Sequence, residues 1–360
     1  MKIVPYDPRY RSKLLAFLAQ NFPDYPRKSE PRYFDWLFGG NPLGATFDTY
    51  QLLVQDDDVV GQIGSLRGRL RVGDQWVDGR WIIDLVIDPR FRGGLAARQL
   101  FKRAMDGAPL VMATGVATHV VPIYNGLGWN RLPVMRARYS VLRPSRLLAL
   151  AQTTEAAPET NPLLRLGIAL ADRVLPFAGR VLAARPSSVT EQVTRFEPDW
   201  DADIRALTAR LGVTEYRSAA VLNWRFVERP IGTHRIVVMR SRRGLRGMMV
   251  LRWMTRPGIA HWVDVVDYLV DPDDHTGFDR LTGAALAIAA GSSVDFVRFR
   301  LSHPSHTELL RPPRWIDHTR PMNDDLFAYS SDRALVATLE SSKWHLTALA
   351  SDRSETGRDE

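Results

Sequence analysis

Residues 81–105 read WIIDLVIDPRFRGGLAARQLFKRAM: an apolar run, a proline, an Arg-Gly-Gly step and a helical pattern. Ile82, Ile83, Leu85, Val86 and Ile87 are mostly β-branched and suit a buried strand. Pro89 cannot donate to a sheet ladder, so the strand ends there. Gly93 and Gly94 permit a tight or left-handed turn. Apolar residues then recur at helical spacing from Leu95 through Leu100, Phe101 and Met105. The first N–H groups of a helix have no partner within it, and its dipole favours negative charge there. A strand that turns through glycines into a helix start is suited to hold phosphate or pyrophosphate. The stretch therefore predicts a grip on a phosphorylated cofactor.

About thirty residues later comes Tyr124-Asn125-Gly126-Leu127-Gly128-Trp129. A strand, an Arg-x-x-Gly-x-Gly/Ala turn, a helix and then Tyr-x-x-Leu-Gly-aromatic resembles the GNAT superfamily of N-acetyltransferases. The resemblance covers roughly residues 50–135. Arg92 matches the leading Arg of the family's acyl-CoA loop, and Ala97 its final Gly/Ala. Leu95 stands where the family has its middle glycine, and Ala117 where it often has an asparagine. The resemblance implies an α/β (α+β) fold, a mixed and mostly antiparallel sheet flanked by helices. It implies acetyl-CoA, or another acyl-CoA, as co-substrate. Backbone N–H groups of Arg92, Gly93, Gly94, Leu95, Ala96 and Ala97 would hold its pyrophosphate, with Arg92 adding charge. Leu85, Val86 and Ile87 would align the pantetheine arm through their backbone. Tyr124 would be the general acid near the sulfur. For the base, Asp84 on the cofactor strand and His119 are the candidates, and loss of the proton to water is the alternative.

The chain also repeats itself. Trp36-Leu37-Phe38-Gly39-Gly40-Asn41-Pro42-Leu43-Gly44 and Trp224-Arg225-Phe226-Val227-Glu228-Arg229-Pro230-Ile231-Gly232 both read W-x-F-x-x-x-P-x-G. Upstream, Tyr6-Asp7-Pro8 parallels Phe196-Glu197-Pro198. Downstream, Asp84-Leu85-Val86-Ile87-Asp88-Pro89 parallels Asp267-Tyr268-Leu269-Val270-Asp271-Pro272. Matches in one order at nearly constant offset predict two tandem acetyltransferase-like domains. The second copy lacks the Arg-Gly-Gly step; Asp273, Asp274 and Asp279 follow Pro272 and would repel a pyrophosphate. It reads as a degenerate copy. Tandem arrangements with one competent half resemble two-domain acyltransferases.

The expected division is 1–142 as the acyl-CoA domain, 143–192 as a linker, 193–350 as the degenerate domain and 351–360 as a disordered tail. Within 1–142, helices are expected at 12–20 and 31–38. Strands are expected at 50–55, 58–64, 66–72, 76–88, 110–114 and near 133–142. In the linker, Leu163, Leu166, Leu170, Val174, Phe177 and Val181 recur at helical spacing. Such a stripe packs on a neighbouring domain or lies on a membrane surface. Arg165, Asp172 and Arg173 interrupt it, so it predicts no membrane span. The N-terminus has no apolar signal region, and a cytoplasmic location is expected.

With no cysteine, disulfides, thiolate metal sites and cysteine nucleophiles are excluded. His303 and His306 are the one close histidine pair and lack a third ligand, so no metal is expected. The net charge of +8 comes from scattered arginines interspersed with carboxylates, and lysine stands only at 2, 13, 28, 102 and 343. That scatter, without a nucleic-acid-binding module, predicts no nucleic-acid partner. The expected activity is direct transfer of an acyl group from acyl-CoA to a primary amine of a small molecule or amino sugar. The alternatives are an aminoacyl transferase of the doubled-fold type and a non-catalytic acyl-CoA-binding scaffold. Nothing in the residues names the acceptor or the oligomeric state.

Overall fold

In the computed structural model the apolar runs form strands of two separate sheets, and the amphipathic stretches cover them. The structure describes residues 1–92, 95–152, 166–174, 190–317, 325–347 and 358–359. The chain divides into two units that are not consecutive stretches. Unit 1 holds Met1–Val134, Gly212–Ile231 and Arg320–Glu355; unit 2 holds Met135–Leu211, Gly232–Thr319 and Thr356–Glu360.

The strands are β1 (Lys2–Pro5), β2 (Gln51–Gln55), β3 (Asp58–Val72), β4 (Gln75–Ile87), β5 (Leu110–Thr114), β6 (Asn130–Leu132), β7 (Arg136–Val141), β8 (Thr190–Val193) and β9 (Val213–Glu215). They continue with β10 (His234–Ser241), β11 (Gly244–Arg256), β12 (Ala260–Val270), β13 (Phe296–Leu301), β14 (Ile316–Asp317), β15 (Leu326–Tyr329), β16 (Trp344–His345) and β17 (Arg358–Asp359). The sheet of unit 1 runs β1-β2-β3-β4-β5-β15-β6, with β9 on β3 and β16 on β9. The sheet of unit 2 runs β8-β10-β11-β12-β13-β7-β14, with β17 on β11. The two orders correspond strand for strand. Each has one parallel pair at its centre, β4 with β5 and β12 with β13. The duplication seen in the sequence is thus a duplicated topology.

The correspondence also shows why a linear division of the chain differs from the units. The strand beside β5 is β15, from late in the chain, and the strand beside β13 is β7, from early in it. The strand expected near 133–142 is β7, but it belongs to the sheet of unit 2, while the short β6 just before it belongs to that of unit 1. The separate strands expected at 58–64 and 66–72 are one continuous strand of fifteen residues. In the linker, residues 166–174 are helical, and Leu166, Leu170 and Val174 are more than half exposed. This part of the stripe does not pack as a core face. Leu163, Phe177 and Val181 lie outside the described residues. Of the tail, residues 351–357 and 360 lie outside the described residues, and Arg358 and Asp359 pair with Thr255 and Met254. No helix among the described residues is long and apolar enough to cross a membrane.

Helix α1 (Arg11–Asn21) buries Leu14, Phe17 and Leu18, and α2 (Pro31–Gly39) buries Tyr33, Phe34, Trp36, Leu37 and Phe38. Helix α3 (Ala96–Met105) buries Ala96, Leu100, Phe101 and Ala104, the stripe a helix shows to a sheet. These α3 residues pack with Ile63, Ile82, Ile87 and Val111 in one buried cluster. The tryptophans of the two sequence repeats meet within unit 1. Trp36 donates its indole N–H to the Trp224 carbonyl at 2.8 Å, and Trp224 donates to the Trp36 carbonyl at 3.0 Å. Their ring centroids are 5.5 Å apart. Both indoles are buried, so each N–H needs the other's carbonyl. Trp36→Phe removes one donor and leaves the Trp224 carbonyl short of a partner; it should cost about 1–2 kcal/mol, read as a shift of the chemical unfolding midpoint.

Candidate functional site

The parallel pairing of β4 and β5 is short. Gly79, Arg80 and Trp81 pair with Leu110, Val111 and Met112. A Cβ on Gly79 would lie 2.9 Å from the Leu110 carbonyl oxygen, so this close start needs glycine. Beyond Trp81 the register with β5 ends, although β4 continues to Ile87 and β5 to Thr114. Over the same residues β4 stays bound to β3, with Val86 opposite Gln62 and Ile87 opposite Gly61. The strands therefore diverge, and the β5-facing backbone groups of the β4 end are left outside the ladder.

At the divergence β4 carries a bulge. Gln62 pairs with Val86 and Gly64 with Ile83, so Asp84 and Leu85 together oppose Ile63. Asp84 has φ +53°, the left-handed region that a side chain other than glycine seldom adopts. The bulge aims Asp84 at a residue far away in the chain. Lys28 donates from Nζ to Asp84 Oδ1, and both side chains are nearly buried, 12% and 13% exposed. Gln62 donates its amide to the Asp84 carbonyl. Burial pushes the Tyr50 phenol well above its ordinary value, and the Asp84 charge pushes the same way. Lys28 comes from the 3-10 turn Pro26–Ser29 between α1 and α2. Its Nζ lies 4.8 Å from the Phe22 ring centroid and 5.9 Å from that of Tyr25.

After β4, Asp88 caps a 3-10 turn over Pro89–Phe91 by accepting from the Arg90 N–H at 2.9 Å. Hydrogen bonds from the Arg90 side chain, then from that N–H, hold the Asp88 carboxyl down to about 2. Arg92 is exposed, and its Nε donates to the Ile87 carbonyl at 2.9 Å, tying the loop to the strand end. Gly93 and Gly94 lie outside the described residues. Leu95 is 66% exposed, so its side chain points to solvent rather than into the core. At the start of α3 the cap residue Leu95 makes no side-chain cap hydrogen bond, and the first turn holds no acidic residue. Ala96 and Ala97 supply small side chains there.

The second copy differs at the matching place. Helix α4 (Val121–Gly126) follows β5, helices α5 (Pro144–Gln152) and α6 (166–174) lie in the stretch beyond β7, and α7 (Asp201–Ala209) and α8 (Ala219–Phe226) precede β10. Helix α9 (His275–Gly291) then takes the position after β12 that α3 takes after β4. Its start is filled: Asp274 Oδ1 accepts from the Gly277 N–H at 2.9 Å, and Oδ2 pairs with Arg246 at 2.5 Å. An anion arriving there would meet a carboxylate already in place.

Tyr124 sits on α4, 4% exposed, among Trp129, Phe101 and Phe327 at ring-centroid distances of 4.6, 4.9 and 5.2 Å. Burial raises its phenol far above the ordinary range and keeps it protonated. His119 lies exposed on the 3-10 turn Thr118–Val120. Among the described residues no hydrogen bond, ion pair or ring contact joins it to Asp84 or Tyr124. His303 and His306 lie together in unit 2, where His306 faces the Tyr268 hydroxyl at 3.1 Å. Burial pushes His306 down to about 3. Among the described residues no group of three or more His, Asp or Glu could hold a metal.

Sequence reasoning singled out Asp84 and missed Lys28, Gln62 and Tyr50. The one available signal was the rarity of lysine in a chain that otherwise uses arginine.

No family model matches the chain, and no curated protein matches its sequence. Solved structures do. A GCN5-related N-acetyltransferase from Anabaena variabilis superposes with TM-score 0.62 at 13% identity, over 93% of this chain and 74% of that one. N-myristoyltransferase of Saccharomyces cerevisiae, solved with bound myristoyl-CoA, gives 0.60 at 12% identity, over 91% and 78%. A probable N-acyltransferase from Enterococcus faecalis gives 0.57 at 12%, over 91% and 72%. At such identities the likeness is one of fold. The chain has a tandem GNAT fold, with two mixed, mostly antiparallel sheets and flanking helices, like that of N-myristoyltransferase.

Asp84→Ala removes the carboxylate that pairs with the nearly buried Lys28. It should destabilise the protein by about 3–5 kcal/mol, measured by urea unfolding against the wild type.

Proposed function

We propose that unit 1 is an acyl-CoA-dependent N-acyltransferase, with acetyl the expected acyl group and a primary amine of a small molecule or amino sugar as acceptor. The observation that carries this reading is the pairing of an uncapped helix start with a diverging parallel strand pair directly before it. The residues present suit such a co-substrate. Backbone N–H groups at Ala96 and Ala97 would hold its diphosphate, and Arg92 would add charge. The free edge of β4 at Leu85, Val86 and Ile87 would align the pantetheine arm. Bound there, acyl-CoA would supply an activated thioester.

The remaining work falls to the chain itself. Backbone N–H groups on the β4 edge stabilise charge that develops on the thioester oxygen. The Asp84 carboxylate receives the proton that the amine gives up, which assigns it the base role in preference to the exposed His119. Tyr124, kept protonated by burial, gives a proton to the departing thiolate. Unit 2, with its helix start occupied by Asp274, binds no second coenzyme on this reading.

Calorimetry with acetyl-CoA and CoA tests the reading: binding of one equivalent is expected, and no binding removes it. Arg92→Ala should weaken CoA binding by about 1.5–3 kcal/mol, the scale of a charge-assisted hydrogen bond. Tyr124→Phe should lower turnover and leave CoA affinity nearly unchanged. Turnover is followed by thiol release from acetyl-CoA against a panel of amines and amino sugars.

A further inference from the structure

The Lys28–Asp84 contact has more parts than an ordinary ion pair. Lys28 Nζ faces the Asp84 carboxylate on one side and the Phe22 and Tyr25 rings on another. Both ring distances fall within the roughly 6 Å over which a ring face attracts a cation. A carboxylate with two ring faces is a box for an ammonium group. Tyr50 stays protonated beside it, so it brings no second negative charge.

The box stands at the stretch where β4 has parted from β5. Asp84 lies three residues beyond Trp81, the last β4 residue paired with β5. Its φ of +53° is a backbone strain that the fold retains at this point of the strand. The occupant is held by a movable arm. Lysine is a compact charge on a flexible four-carbon stem, whereas arginine would form a rigid two-point clamp. The chain has 48 basic residues, nearly all arginine, yet a lysine stands here. Its base is a short 3-10 turn, closed by the Lys28 N–H to the Tyr25 carbonyl at 3.0 Å.

We propose that the Asp84 carboxylate with the Phe22 and Tyr25 rings is the binding place of the acceptor's ammonium group, and that Lys28 is a tethered occupant which that group displaces. The acceptor is then a primary alkylammonium on an unbranched carbon, like the lysine side chain that holds its place. Lys28 sets the threshold concentration at which an amine enters. The acceptor role rests on the transferase reading above; the box does not.

The test uses full-length protein and n-butylammonium, which copies the lysine side chain. In Lys28→Met the box keeps its carboxylate and loses its occupant. Calorimetry and thermal unfolding should show butylammonium binding and stabilising this variant, at least tenfold more tightly than the wild type. The double variant Lys28→Met, Asp84→Asn should lose that binding. Equal responses of the wild type and Lys28→Met, or of the single and double variants, would overturn the box. With acetyl-CoA present, Lys28→Met should release thiol in proportion to added butylammonium, faster than the wild type. A variant that binds both CoA and butylammonium yet releases no thiol overturns the acceptor role and leaves only an ammonium box. Failure to bind CoA while butylammonium still binds defeats the transferase reading instead, and the acceptor role with it. Lys28→Gln is judged by the same criteria if Lys28→Met does not fold.

Discussion

The bulge at Asp84 is the point on which the rest of unit 1 turns. One extra residue opposite Ile63 breaks the alternation of β4 and places a carboxylate beside Lys28 and Tyr50. The irregularity sits in the stretch where β4 has parted from β5. A regular strand would point a side chain at each face in strict turn and continue its parallel ladder. The left-handed backbone at Asp84 is unfavourable in isolation, and the ion pair with Lys28 together with the Gln62 amide on the Asp84 carbonyl holds it in place. The strained residue and the buried ion pair are thus one feature.

The duplication shows what that feature needs around it. Both sheets have the same strand order and the same central parallel pair, and β11–β12 also shifts register beside Asp267. Yet Asp267 is fully buried and keeps no positive φ. The decisive difference lies one turn further on. Helix α3 begins without a capping side chain, whereas α9 begins on Asp274, itself paired with Arg246. A free helix start holds potential for an anion; a capped one has spent it on its own stability. The two copies therefore separate by a local choice of cap on a shared scaffold.

Legibility in the sequence followed the range of each interaction. The strand, the glycine turn and α3 are contiguous, so period and punctuation placed them. The repeat was legible in the matching W-x-F-x-x-x-P-x-G segments, whose tryptophans bond each other in the fold. The strand exchange could not be read, because β7 and β15 carry patterns that fit either sheet and only the fold assigns them. Arg92 was read for its charge, and that its Nε bonds the Ile87 carbonyl depends on a loop path that the residue types do not specify.

Lys28 marks the limit most sharply. It stands 56 residues from Asp84 on a short turn with no periodicity of its own. Asp84 could be singled out by its place on the strand before the glycine turn, while its copy at Asp267 points to a structural part as well. The structure joins both views, since the same carboxylate anchors the turn between α1 and α2 and faces the diverging strands. Charge that is desolvated must be paired, so an acid set within the apolar run Ile82–Ile87 implies a cation somewhere in the fold. In a chain whose cations are nearly all arginine, a lysine is where a movable partner for that acid can be supplied.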